Sequence, residues 1–119
     1  MRSLVIKCTA GAEDAERCNQ AFTVAAAAVA AGADVSLWLT GEATWFAVPG
    51  RAEEFSLDLA GSLAESRDFV LEQGRLTVCS QCAARRGIVE ADLVDGARIA
   101  GSTAFAEEVL VDGVQALVY

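Results

Sequence analysis

The sequence predicts an α/β fold built on a parallel sheet with helices over both faces. Three observations carry that prediction. Five short apolar runs, each about one strand long, recur along the 119 residues, and most are separated by helix-forming segments. Strands separated in this way are joined by right-handed crossovers, which lay helices over the sheet and bury its strands on both sides. The third observation is compositional. Hydrophobic residues make up 54% and charged residues 22%, enough apolar surface for a core and too much for a disordered chain.

The first run is Ser3 to Cys8, with β-branched Val5 and Ile6 at its centre. A small-residue turn, Thr9 to Ala12, leads into a helix from about Asp14 to Ala31. Glu13, Asp14 and Glu16 complement the positive end of that helix, and Cys18, Phe22, Ala25 and Val29 form its apolar stripe. Gly32 stops it, and Ala33 to Leu39 is the second strand. Glu42 to Val48 is expected to start a second helix, cut off by Pro49-Gly50, and Arg51 to Gly61 to be a loop. Ser62 and Glu65 match a capping box at the head of a helix from Leu63 to Gln73, closed by Gly74. The third strand is Arg75 to Val78, and a short helix over Ser80 to Arg86 follows. After a polar turn at Asp92 to Gly96 come a strand over Ala97 to Gly101 and a helix capped by Ser102 or Thr103 that runs through Val111. The last strand is Val114 to Val118. No internal repeat or linker interrupts the series, so residues 1–119 are expected to form one domain.

Charge and residue usage exclude several functions. The net charge is −8 with a single lysine, so no basic stripe exists to displace counterions, and direct nucleic-acid binding is not expected. Histidine is absent, which removes histidine-based triads and the commonest zinc ligand. Lys7 cuts the apolar run Leu4–Ile6 too short for a signal peptide, and Ala21–Ala33 is too short and too alanine-rich to span a bilayer. The expected location is therefore a reducing cytoplasm, where a CxxC pair is reactive or metal-binding rather than a structural staple. Gly11 and Gly41 belong to no phosphate-binding motif, and no cofactor is expected.

The chemistry concentrates in Leu76 to Gly87, LTVCSQCAARRG. Cys79 stands where a strand ends and a helix begins, facing unpaired N–H groups and the positive pole of the helix. Both favour thiolate over thiol, so Cys79 reads as a reactive sulfur rather than a packed one. Cys82, at CxxC spacing, is either a resolving thiol or a helical residue turned to the sheet. Arg85 and Arg86 either stabilise an anionic sulfur or complement the carboxyl end of their own helix. Cys8 and Cys18 read first as core residues and second as supporting thiols. In parallel sheets reactive groups gather outside the carboxyl ends of the strands, so three or four sulfurs are expected to share one edge. Trp38, Trp45 and Phe46 read as core or interface aromatics, and Glu107 and Glu108 as a solvated helix face.

The pattern L-x-V-C-x-x-C-A-x-R-R-G-I, followed by the strand ARIAGS, an acidic helix and a terminal VQALVY strand, resembles the DsrE/DsrF-like family. The amino-terminal strand, the alanine-rich helix and the LWLTGEA turn fit the same likeness. The resemblance implies a three-layer α/β/α sandwich with a five-stranded, mainly parallel sheet and assembly into homo-trimers or hexamers. It also implies a sulfur-relay role, as in TusD-like proteins, with a persulfide carried on a cysteine between sulfur-donor and sulfur-acceptor proteins. The position matching that cysteine is Cys79. Cys82 departs from the relay pattern, where a small apolar residue is typical.

Four functions compete. The leading one is a sulfur carrier with Cys79 as the carrying atom. The second is a dithiol redox protein cycling through a Cys79–Cys82 disulfide. A metal site made from the four cysteines is third, weakened by having one CxxC hook and no histidine. The fourth is a non-catalytic oligomeric binding module.

Overall fold

A computed structural model of the chain describes residues 2–119. Five strands form its sheet: β1 (Ser3–Cys8), β2 (Asp34–Leu39), β3 (Arg75–Cys79), β4 (Arg98–Ala100) and β5 (Gln115–Val118). The helices are α1 (Ala15–Ala30), α2 (Arg51–Glu54), α3 (Leu63–Gln73), α4 (Ser80–Arg85) and α5 (Ser102–Val109). The strands lie in the order β4-β3-β2-β1-β5, and every neighbouring pair is parallel. From β1 to β4 the chain steps across the sheet in one direction, then reverses to place β5 beside β1. Because crossovers keep one hand, that reversal puts α5 over the face opposite α1 and α3. The result is an α/β fold with helices on both sides of the sheet.

Register decides which side chains share a face. Cys8, Leu39, Val78 and Ile99 stand level across four strands, as do Lys7, Trp38, Thr77 and Arg98 one residue earlier. Successive side chains point to opposite faces, so these two rows project from opposite sides of the sheet. Ile6, Leu37, Leu39, Leu76 and Val78 join Phe22, Ala25, Leu63 and Val70 in the main core beneath α1 and α3. The other face is polar and lightly covered. There Glu108 of α5 accepts from Ser36 Oγ at 2.6 Å and from Trp38 Nε1 at 3.3 Å, and it pairs with Arg98 at 2.5 Å. The Arg98 guanidinium also donates to Thr77 Oγ1 at 2.8 Å, and Phe105 meets Trp38 edge-on at 5.3 Å. Glu108 is thus the hub of a polar network under α5 and not the solvated residue its neighbours suggest.

Two elements differ from expectation. The segment after β2 is a 3₁₀ helix, Gly41–Ala47, rather than an α-helix. Its buried residues explain why: Ala43 with Phe46, and Thr44 with Ala47, are three apart, which matches three residues per turn. The stretch expected as a loop opens with one turn of helix, α2, held by a buried side chain of α3. Arg67 is 3% exposed, donates to Phe46 O at 3.2 Å and pairs with Glu53 of α2 at 2.9 Å and with Asp68 at 3.0 Å. Elsewhere the ends move by one or two residues. The third strand takes in Cys79, and the Ser62 hydroxyl caps α3 by accepting from Glu65 N at 3.1 Å.

Candidate functional site

Cys79 is the last residue of β3 and the residue before the first turn of α4, with extended backbone (φ −60°, ψ 126°). This conformation turns the side chain toward the leading amides of α4 on the lightly covered face. The thiol is partly buried, which on its own pushes its pKa up. Hydrogen bonds from the Cys82 amide, the Cys82 thiol and the Gln81 amide oppose that, helped by the Lys7 ammonium, and together they hold it below the ordinary thiol value. Lys7 is level with Thr77, two residues behind Cys79 and so on the same face, with its ammonium 4.1 Å from the centre of the Phe105 ring.

Cys82, in the first turn of α4, is buried. Its sulfur accepts a hydrogen bond from the Gly41 amide at 3.2 Å, so the 3₁₀ segment after β2 closes the far side of the thiol pair. Gly41 has φ +56°, and a Cβ there would stand 2.9 Å from the Thr9 carbonyl oxygen. Glycine is required on both counts. The Gly41 amide thus holds the Cys82 side chain, which acts with the Cys82 and Gln81 amides to lower the pKa of the Cys79 thiol. Donation to the outer sulfur favours negative charge on it.

The remaining candidates divide. Arg86 contacts the same group, but as a brace: it pairs with Glu42 at 2.8 Å and donates to the Cys82 carbonyl at 3.0 Å. Complementing the end of its own helix is the role it fills. Arg85 is exposed, and no ion pair to it is found among the described residues. Cys8 and Cys18 are 0% exposed and belong to the α1 core. The Cys8 thiol donates to Ala10 O at 3.2 Å, and the hydrogen bond with Cys8, together with burial, pushes the Cys18 thiol up.

The sulfurs do gather at the carboxyl edge of the parallel sheet, but on two different faces of it. Cys8 and Cys79 both end strands, but they have opposite parity in the pleat, so the sheet stands between the two thiol pairs. The four-cysteine metal reading loses its geometry for the same reason, and among the described residues no cluster of three metal-ligating side chains occurs. All four cysteines are free thiols. Sequence reasoning missed Lys7 and Gly41. The signal for Lys7 was a charge inside an apolar strand run, which marks a position on the thinner-covered face.

The family model for DsrE/DsrF-like proteins matches residues 2–114. The chain belongs to the DsrE/DsrF-like family. That family is associated with sulfur relay in general. Among solved structures, this DsrE/DsrF-like chain is similar to the ychN protein from E. coli, with a TM-score of 0.83 at 20% identity over 100% of both chains. It is also similar to MTH1491 from Methanobacterium thermoautotrophicum, with a TM-score of 0.69 at 9% identity over 100% of both chains. A third likeness is to BT1422 from Bacteroides thetaiotaomicron, with a TM-score of 0.64 at 15% identity over 98% of this chain and 94% of the other. At these identities the likenesses show the fold. No curated protein matches the chain in sequence. Among the described residues, no helix is long and apolar enough to cross a membrane.

Proposed function

We propose that this DsrE/DsrF-like protein acts in the cytoplasm, as a single domain, as a sulfur carrier that holds a persulfide on Cys79. The observation that carries the reading is the accessible Cys79 sulfur, favoured as an anion by amide and thiol donors at the end of β3. The Cys79 thiolate attacks the outer sulfur of a donor protein's persulfide. A new S–S bond forms at Cys79, the donor's S–S bond breaks, and the donor leaves as a thiolate. An acceptor thiolate then attacks the terminal sulfur and releases Cys79 as thiolate. The exchange is redox-neutral and needs no cofactor. The same donors that favour the thiolate serve the persulfide anion in between.

Incubation with a cysteine desulfurase and cysteine, followed by mass spectrometry, tests this. One added sulfur on Cys79 is expected, and none on the protein carrying Cys79→Ser. A wild-type protein that does not load, or a Cys79→Ser protein that loads equally, overturns it.

The CxxC spacing, with Cys82 one turn into the helix that Cys79 heads, favours a second reading, a dithiol redox couple in which Cys82 resolves an oxidised Cys79. A reduction potential far below that of the cytoplasm, together with no disulfide reductase activity, eliminates it.

Homo-oligomeric assembly, as a trimer or hexamer, belongs to the same proposal. Its support is the exposed apolar surface at the carboxyl end of the chain, where Leu110, Val111, Leu117 and Val118 are 78, 59, 40 and 66% exposed. The partners proposed are sulfur-donor and sulfur-acceptor proteins, and with a net charge of −8 they do not include nucleic acid.

A further inference from the structure

A cavity of about 330 Å³ is lined in part by Glu42, the neighbour of the Gly41 that bonds the Cys82 sulfur. Its walls are aromatic: Trp45 and Phe46 from the 3₁₀ segment, and Phe55 just after α2. Phe46 and Phe55 meet edge to face at 5.5 Å. The polar groups lining it are Glu13, Glu42, Glu54 and Arg51. Carboxylates around aromatic walls exclude anions and suit a cation that carries an apolar stem.

The chain already shows how such a cation is held. The Arg51 guanidinium stacks over the Trp45 ring, 4.2 Å from its centre, and no ion pair to Arg51 is found among the described residues. Two of the carboxylates have partners, since Glu42 pairs with Arg86 and Glu13 accepts from the Gly11 amide. Glu54 has none among the described residues. The wall is itself braced. Buried Arg67 clamps the Phe46 carbonyl and Glu53 of α2, fixing the one-turn helix that supplies Arg51 and Glu54. Burying a guanidinium gives little net stability compared with apolar packing, so the clamp's clearest product is the shape of this cavity.

We propose that the cavity receives an arginine side chain of the protein that exchanges sulfur with Cys79, its guanidinium replacing Arg51 on Trp45 and facing Glu54. The assignment of the partner rests on the sulfur-carrier reading; the preference for a guanidinium rests on the cavity alone. Position favours the link. Glu42 lines the cavity, its neighbour Gly41 donates to the Cys82 sulfur, and its partner Arg86 bonds the Cys82 carbonyl. A side chain anchored in the cavity therefore brings its protein against the thiol site. The excess of negative charge over the whole chain, −8, steers a basic partner toward it.

N-acetyl-arginine amide is the probe, titrated into the reduced, labelled protein while the Trp45 indole N–H is followed by NMR. A saturable shift is expected, with none for the neutral citrulline analogue. Glu54→Gln is expected to weaken binding about three- to fivefold, the effect of losing one exposed charge pair. Arg51→Gln, which frees the ring, should tighten it. Absence of a shift, an equal shift from citrulline, or an unchanged affinity in Glu54→Gln overturns the proposal. Sulfur loading by a desulfurase is measured on the same samples. Loading without arginine binding defeats the cavity assignment and leaves the carrier reading standing. Binding without loading defeats the carrier reading and its partner, and leaves the guanidinium preference standing.

Discussion

At the scale of single residues, the acidity of the Cys79 thiol is a contest between partial burial and its donors, and the donors win. Because its pKa is lowered, the thiolate persists at pH values where an ordinary cysteine is already protonated. Alkylation by iodoacetamide should therefore keep its rate to lower pH than alkylation of a free cysteine. Lys7→Met removes the one cation acting on the sulfur from the sheet, so the rate–pH profile should move toward the ordinary thiol position. A profile unchanged in Lys7→Met would leave the amides and the Cys82 thiol as the whole cause. Cys79 itself was legible in the sequence, because a thiol between an apolar strand and a helix start has a recognisable local pattern. Lys7 and Gly41 were not. Their bearing on the site comes from neighbouring strands and from the turn after β2, and spacing along one strand carries no information about what stands across from it. Glu108 misled for a related reason: an acidic pair on a helix reads as solvated until the helix lands on serine, tryptophan and arginine.

At the scale of elements, Arg67 shows what local pattern cannot disclose. In the sequence it is one charge in an amphipathic helix, and only the fold puts it under α2 and the 3₁₀ segment. Arg67→Met keeps much of the stem packing but leaves the Phe46 carbonyl without its donor and Glu53 without its cation. Chemical denaturation should show a loss of about 1–3 kcal/mol, the cost of stranding a buried polar group. Arg67→Lys should not restore it, because an ammonium lacks the planar fork that serves the carbonyl and two carboxylates together. The long, regular elements were easier to read. The Ser62 cap of α3 and the apolar stripe of α1 are local devices, and both stand close to where the residues placed them, although Glu65 does not return the bond that would complete a capping box. The sequence marks a helix after β2 but not its kind, because a seven-residue stretch offers too few turns to tell a period of three from one of 3.6.

For the whole molecule, the parallel α/β arrangement followed from alternation and crossover handedness, while the strand order did not. Nothing local in Gln115–Val118 says that it joins the sheet beside β1 rather than beside β4. That placement leaves β5 as an edge strand with all four side chains exposed. An uncovered apolar edge is a pairing surface that isolated proteins avoid. Sedimentation should accordingly report a species that is a multiple of the 12.4 kDa chain. Val118→Lys, a charge placed on that edge, should shift it toward the monomer without altering the circular dichroism. A wild-type chain that sediments as a monomer across micromolar concentrations would contradict the assembly.

The division of the four cysteines by the sheet has a practical consequence. A thiol reagent meets them in sequence: Cys79 at once, Cys82 when α4 loosens, and Cys8 and Cys18 only when α1 leaves the sheet. Labelling kinetics thus sort local breathing from global opening without any engineered probe. The same order protects the inner pair from whatever oxidant or electrophile the outer one encounters.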